Sequence, residues 1–151
     1  MIPIERFTAW CDSLIQAVNS ERQQIDGLVM AVKEEHLIKK LKDLKGVQLC
    51  VQFPDAVGSG EQDNETDVHD IFFFLVQKMP AGSMSNDLEL ARYADLQTTM
   101  VELRDEIRRC VACGCAVTVP GNQYRIEWEY QIFGGFNGIS LGFKLEDLCY
   151  D

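Results

Sequence analysis

The residues best equipped for chemistry sit in one short run, Cys110-x-x-Cys113-x-Cys115. Thiolates at such spacing can hold zinc or exchange with a disulfide. Zinc needs a fourth ligand, and only Cys50, Cys149, His36, His69 or a carboxylate could supply it. Structural zinc sites draw on two separated ligand pairs, whereas this chain offers one cluster. A redox Cys-x-x-Cys opens a helix, where the N-terminal dipole lowers the thiol pKa. This run closes a helix, where the dipole has the opposite sign. It therefore reads as thiols packed at a helix end. Cys11, on the apolar side of the first predicted helix, reads as a small buried hydrophobe. With only two histidines, His36 and His69, a Cys–His or Ser–His pair has few ways to form. There is no Gly-x-Ser-x-Gly elbow and no phosphate-cradling glycine loop. The expectation is no catalytic set, no metal and no cofactor, with a small metal-dependent enzyme using the cysteines as a distant rival.

Two other groups are candidates for interaction. Asp63, Glu65, Asp67 and Asp70 bring alternating oxygen ligands to a polar stretch. The central glycine and terminal glutamate of a calcium loop are missing, so a solvated acidic loop that docks a partner is the better reading. Phe133 and Phe136 flank two glycines at a predicted hairpin tip. They either fold back on the core or stand out as an anchor for another chain.

The acidic groups exceed the basic ones by 24 to 14, for a net charge of -10. That balance disfavours direct binding to nucleic acid. The N-terminal segment carries Glu5 and Arg6 where a secretory signal needs an apolar run, and the apolar run Ile71 to Val76 is too short to span a bilayer. Reduced thiols and a cytoplasmic site of synthesis are expected, with no membrane partner.

These residues need elements to position them, and periodicity supplies the list. Ile4, Phe7, Cys11, Leu14 and Val18 mark a first helix, ending near Asn19 to Gln23. A second helix is expected from about Leu28 to Lys45, although Leu28 to Val32 would also suit a short strand. Val47 to Phe53 alternates as a half-buried strand. The connection Asp55 to Val68 reads as polar and mobile. His69 to Lys78, apolar on both faces at its centre, reads as a central strand. A long helix runs from about Asp87 to Cys113. Asn86 and Glu89 form its capping box, and Tyr93, Leu96, Met100, Leu103, Ile107 and Val111 form its buried stripe. Ala116 to Val119 is a short strand. Tyr124, Ile126, Trp128, Tyr130 and Ile132 share one face of the next, Gly134 to Gly138 make a turn, and Ile139 to Leu145 return. The expected fold is one α+β domain over residues 1–151: an antiparallel sheet of four to five strands, with the N-terminal helices and the long helix on one face.

The closing segment Phe136-Asn137-Gly138-Ile139-Ser140-Leu141-Gly142-Phe143-Lys144-Leu145, together with the order of elements, resembles small tail-completion proteins of tailed phages, of the tail-terminator or neck type. Ile139 stands where that pattern has Trp. The resemblance implies a structural subunit without catalytic residues, partnered with itself in a homo-oligomeric ring and with other structural proteins of a virion. The alternative drawn from charge alone is an acidic binding or inhibitor protein, such as a nucleic-acid mimic, seated on a basic site.

Overall fold

The computed structural model describes residues 1–149. The chain is α+β, built on a seven-stranded mixed sheet with three helices: α1 (Ile4–Val18), β1 (Gly27–Ala31), α2 (Glu34–Leu41), β2 (Val47–Gln52), β3 (Ala56–Ser59), β4 (Thr66–Lys78), α3 (Asn86–Ala112), β5 (Ala116–Thr118), β6 (Arg125–Ile132) and β7 (Phe136–Leu148). The strand order is β1-β2-β4-β7-β5, with β3 also on β4 and β6 also on β7. Among the described residues only β1 and β2 pair in parallel. No helix is long and apolar enough to cross a membrane among the described residues.

The core lies on both sides of the sheet. Side chains alternate across each strand, so Leu49, Val51, Ile71, Phe73, Leu75, Ile139, Leu141 and Phe143 face α1 and α3. Trp10 of α1 is fully buried there, its ring tilted against Phe7, Phe73 and Phe143 at centroid distances of 6.0, 6.1 and 6.4 Å. Such aromatic pairs contribute about 0.5–1.5 kcal/mol each beyond their burial. On the opposite face, Val29, Ala31, Cys50, Val76, Phe133 and Phe136 pack beneath Leu37 and Leu41 of α2.

That second layer corrects the expectation that all helices share one face. The Gly27–Ala31 segment is a strand, and α2 is an eight-residue helix. A parallel neighbour can be reached only by crossing over a face of the sheet. The crossing from β1 to β2 carries α2 away from α1 and α3. It also buries Gln48 and Cys50, which a half-buried strand would have exposed. Three further corrections concern turns and caps. The polar connection Asp55 to Val68 contains β3, which pairs with the start of β4 from Ala56↔His69 to Ser59↔Thr66. Ser85, not Asn86, caps α3, its hydroxyl accepting from the Leu88 N–H at 3.3 Å. The register of β6 on β7 shifts between Glu129 and Ile132. Gln131 adopts φ 49° inside that bulge, and Ile132 crosses to the α2 side while Trp128 stays toward α3.

Asn137 and Gly138, expected in the turn, lie within β7 instead. The Asn137 Oδ1 accepts from the Gln131 backbone N–H at 2.7 Å and from its side-chain amide at 3.1 Å, holding the bulge. Gly138 is dictated by space, since a Cβ there would stand 2.0 Å from the Leu75 carbonyl oxygen. Gly138→Ala is therefore expected to destabilise the protein by about 1–3 kcal/mol, as overpacking does. Chemical denaturation measures it, and an unchanged midpoint would mean that β4 and β7 are farther apart than described.

Candidate functional site

The acidic candidates do not converge. Asp63 and Glu65 are exposed near the β3–β4 turn. The Asp67 carboxylate meets the amino group of Met1, whose hydrogen bond holds its pKa below the usual carboxylate range. Asp70 pairs with Lys144 at 3.3 Å across β4 and β7. Among the described residues no group of three or more His, Cys, Asp or Glu side chains is arranged to hold a metal ion. Phe133 and Phe136 are not exposed anchors. They are 6% and 1% exposed, and Phe133 stacks edge-on against Phe74 at 5.2 Å. The positive φ of Phe133 and of the glycines after it turns the hairpin tip back onto α2. His36 is exposed on α2, whereas His69 is fully buried. Its Nε2 accepts from the Ile2 N–H at 3.1 Å, so Nδ1 carries the proton and donates to the Leu145 carbonyl at 3.2 Å. Both ring nitrogens are thus occupied by backbone.

Two features remain with a shape that chemistry or a partner could use. The first is a groove of about 430 Å³ between α3 and β6, lined by Leu90, Tyr93, Ala94, Gln97 and Trp128. It is almost wholly apolar, yet open. Trp128 is 56% exposed, Leu90 59% and the neighbouring Tyr130 65%. The Tyr93 and Trp128 rings meet edge-to-face at 5.5 Å. The Tyr93 hydroxyl donates to the Glu129 carbonyl at 3.2 Å, which fixes the groove's floor. Burial, then the charge of Glu89, raises the pKa of that hydroxyl. β6 pairs only with β7, and with eight residues it is the longest edge strand of the sheet. Glu127 and Glu129 lie on its other face, the first paired with Arg125 and the second accepting from Ser140 Oγ at 2.8 Å. Exposed aromatics beside an unpaired strand are a recurrent mark of a docking surface. The sequence hid the groove, because clean alternation implied that Trp128 and Tyr130 would be covered. α3 leaves that end of the strand open.

The second feature is the cysteines. All six are free thiols. Cys11 and Cys50 are buried, and burial pushes both thiols up, Cys50 to about 12. The other four gather where α3 ends. Gly114, at φ +80°, closes the helix. Its N–H donates to the Val111 carbonyl at 3.1 Å, and the Cys115 N–H to the Cys110 carbonyl at 2.9 Å. This is the Schellman pattern, and it places three cysteines around one helix end. The fourth arrives through the sheet: the Cys149 N–H donates to the Cys115 carbonyl at 2.9 Å, beyond the Ala116↔Leu148 pair. Cys113 and Cys149 are exposed, and Cys110 and Cys115 are half-buried. Burial raises the Cys110 pKa, while the indole N–H of Trp10 pulls it the other way.

No family model matches this chain, and no curated protein is significantly similar to it.

The thiol environments give a direct expectation. In the native protein at neutral pH, iodoacetamide modifies Cys113 and Cys149 and leaves Cys11 and Cys50 intact, as read by peptide mass spectrometry. Modification of Cys11 or Cys50 at a comparable rate would mean that the core around Trp10 or beneath α2 opens readily.

Proposed function

We propose that this chain is a structural assembly subunit that joins copies of itself head to tail, with no catalytic role. The observation that carries this reading is the groove at Trp128 on the free edge of β6. An apolar, aromatic pocket at a strand edge gives a partner both an anchor and unpaired backbone groups.

Charge indicates which partner. The surface at the opposite edge of the sheet is basic: Lys33, Lys39, Lys40, Lys42 and Lys45 are all exposed on and around α2. Within 33–45 they face only Glu34, Glu35 and Asp43. The β6 side carries Glu89, beside Tyr130, with Glu127 and Glu129 on β6 itself, against Arg125. Two complementary patches on opposite edges of one chain favour a heterologous contact, which closes into a ring when the rotation between subunits allows. β1 is the less open edge, because Lys40 Nζ covers the Met30 carbonyl at 2.6 Å. A contact between β6 of one subunit and the lysine surface of the next fits that asymmetry. Joined with the resemblance of the Phe136–Leu145 strand to tail-completion proteins, it gives the specific form of the proposal, a ring subunit at the tail or neck of a virion.

The rival, an acidic mimic, has less support. Carboxylates occur on every helix and on β4, β6 and β7, and several are locally neutralised, among them Asp70, Asp105, Glu106 and Glu127.

Light scattering after size-exclusion chromatography tests the reading. The chain is expected to oligomerise with rising concentration and to revert to monomer in high salt. Trp128→Ala and the pair Lys39→Glu with Lys40→Glu should each weaken assembly by about tenfold or more, the scale of a hot-spot loss. A strict monomer at high concentration in low salt contradicts it.

A further inference from the structure

The four thiols at the foot of α3 form no part of the proposed contact, and they have a geometry of their own. The Schellman turn sets Cys113 at the helix cap and Cys115 two residues on, with Gly114 between them in the left-handed region. Both side chains consequently swing to the same side. Their sulfurs lie 3.1 Å apart. A disulfide needs about 2.05 Å, so the two sulfurs are about 1 Å short of bonding distance. Nothing crowds the turn, since a Cβ on Gly114 would meet no atom within 4 Å.

We propose that Cys113 and Cys115 form a reversible dithiol–disulfide centre that reacts with small disulfides of the glutathione type. Cys113 is the entry point because it is exposed, while Cys115 is half-covered behind it. The Cys113 thiol has a lowered pKa, chiefly because of its side-chain hydrogen bond with Cys115. The same contact raises the Cys115 pKa, with further contributions from burial and from the neighbouring sulfurs of Cys113, Cys110 and Cys149. The helix dipole opposes a thiolate at this end; the contact between the two sulfurs acts against it. The pair therefore holds an exposed, more acidic thiol and a second thiol within reach, the division of roles that exchange requires.

The reaction balances with one named co-reactant. The Cys113 thiolate attacks one sulfur of the small disulfide, forming a Cys113 mixed disulfide and releasing one small thiolate. Cys115 then loses its proton to solvent and attacks the Cys113 sulfur, expelling the second small thiolate. Two protein thiols are oxidised, one disulfide is reduced to two thiols, and an excess of small thiol drives the steps backwards. Cys149 is the competing partner, because its backbone faces Cys115 across the β5–β7 pairing.

The full chain, equilibrated in buffers of defined oxidised-to-reduced glutathione ratio and acid-quenched, separates these possibilities. Trypsin releases Cys110 to Arg125 as one peptide, since no Lys or Arg intervenes. The expected result is a reversible loss of two hydrogens from that peptide, with fragmentation joining Cys113 to Cys115, unchanged in Cys149→Ser. Cys115→Ser should accumulate the glutathione adduct on Cys113. Cys113→Ser, and Cys113→Ala as a second variant at this exposed site, should slow glutathione uptake by the peptide about tenfold, in line with loss of the more acidic thiol. A bond from Cys115 to Cys149, abolished in Cys149→Ser, would overturn the proposal. So would a peptide that stays reduced at every ratio, or Cys115→Ser protein that traps no adduct.

Discussion

The pairing of β4 with β7 is the constraint on which the rest depends. The two strands run antiparallel without interruption from His69↔Leu145 to Lys78↔Phe136. Close approach is enforced at Gly138, where the Leu75 carbonyl leaves no room for a side chain. β2 and β3 hang from the outer edge of β4, and β5 and β6 share the outer edge of β7. Because β4 and β7 present apolar side chains to both faces, each face needs its own cover. α1 and α3 supply one and the short α2 supplies part of the other. The uncovered parts are where the molecule can meet something else. Phe72 is half exposed on the outer face, and Trp128 is only partly covered by Tyr93 of α3.

Much of this was legible in the sequence, for identifiable reasons. α1 and α3 have long apolar stripes at helical spacing, and β4 has a run with no polar face, so length and period agree. Gly114 was a readable stop, and taking it as the turn of a Schellman motif would have placed Cys110, Cys113 and Cys115 together. Other features depend on contacts that spacing does not carry. Leu28 to Ala31 is apolar enough for either a helix or a strand, and the parallel bond to β2 decides it. β3 is four residues long, Ala, Val, Gly and Ser, with only Val a strong strand former, and it pairs where β4 extends to meet it. The bulge at Gln131 breaks an alternation that looked unbroken, and the polar atom sustaining it, Asn137 Oδ1, comes from the partner strand. Cys149 reaches the thiol cluster solely through the register of β5 on β7.

The candidate residues illustrate the same division. For Phe133 and Phe136 the sequence leaves open whether the rings fold back or stand out, and positive φ at Phe133 turns them inward. His69, flanked by aspartates in sequence, turned out to be a backbone-locked member of the sheet rather than a free base. The surface that remains available is defined by what the helices fail to cover. Its charge is divided between the two edges of one sheet. That polarity, acidic at β6 and basic around α2, is the ground on which a second copy of the chain is proposed as the partner.

Amide hydrogen exchange at two protein concentrations tests that central claim most directly. If copies associate as proposed, the edge amides of β6 between Arg125 and Ile132, and the backbone around Lys39 to Lys45, gain protection together as concentration rises, while β4 is unchanged. Exchange in β6 that is independent of concentration, or protection appearing on only one of the two surfaces, would contradict a head-to-tail assembly.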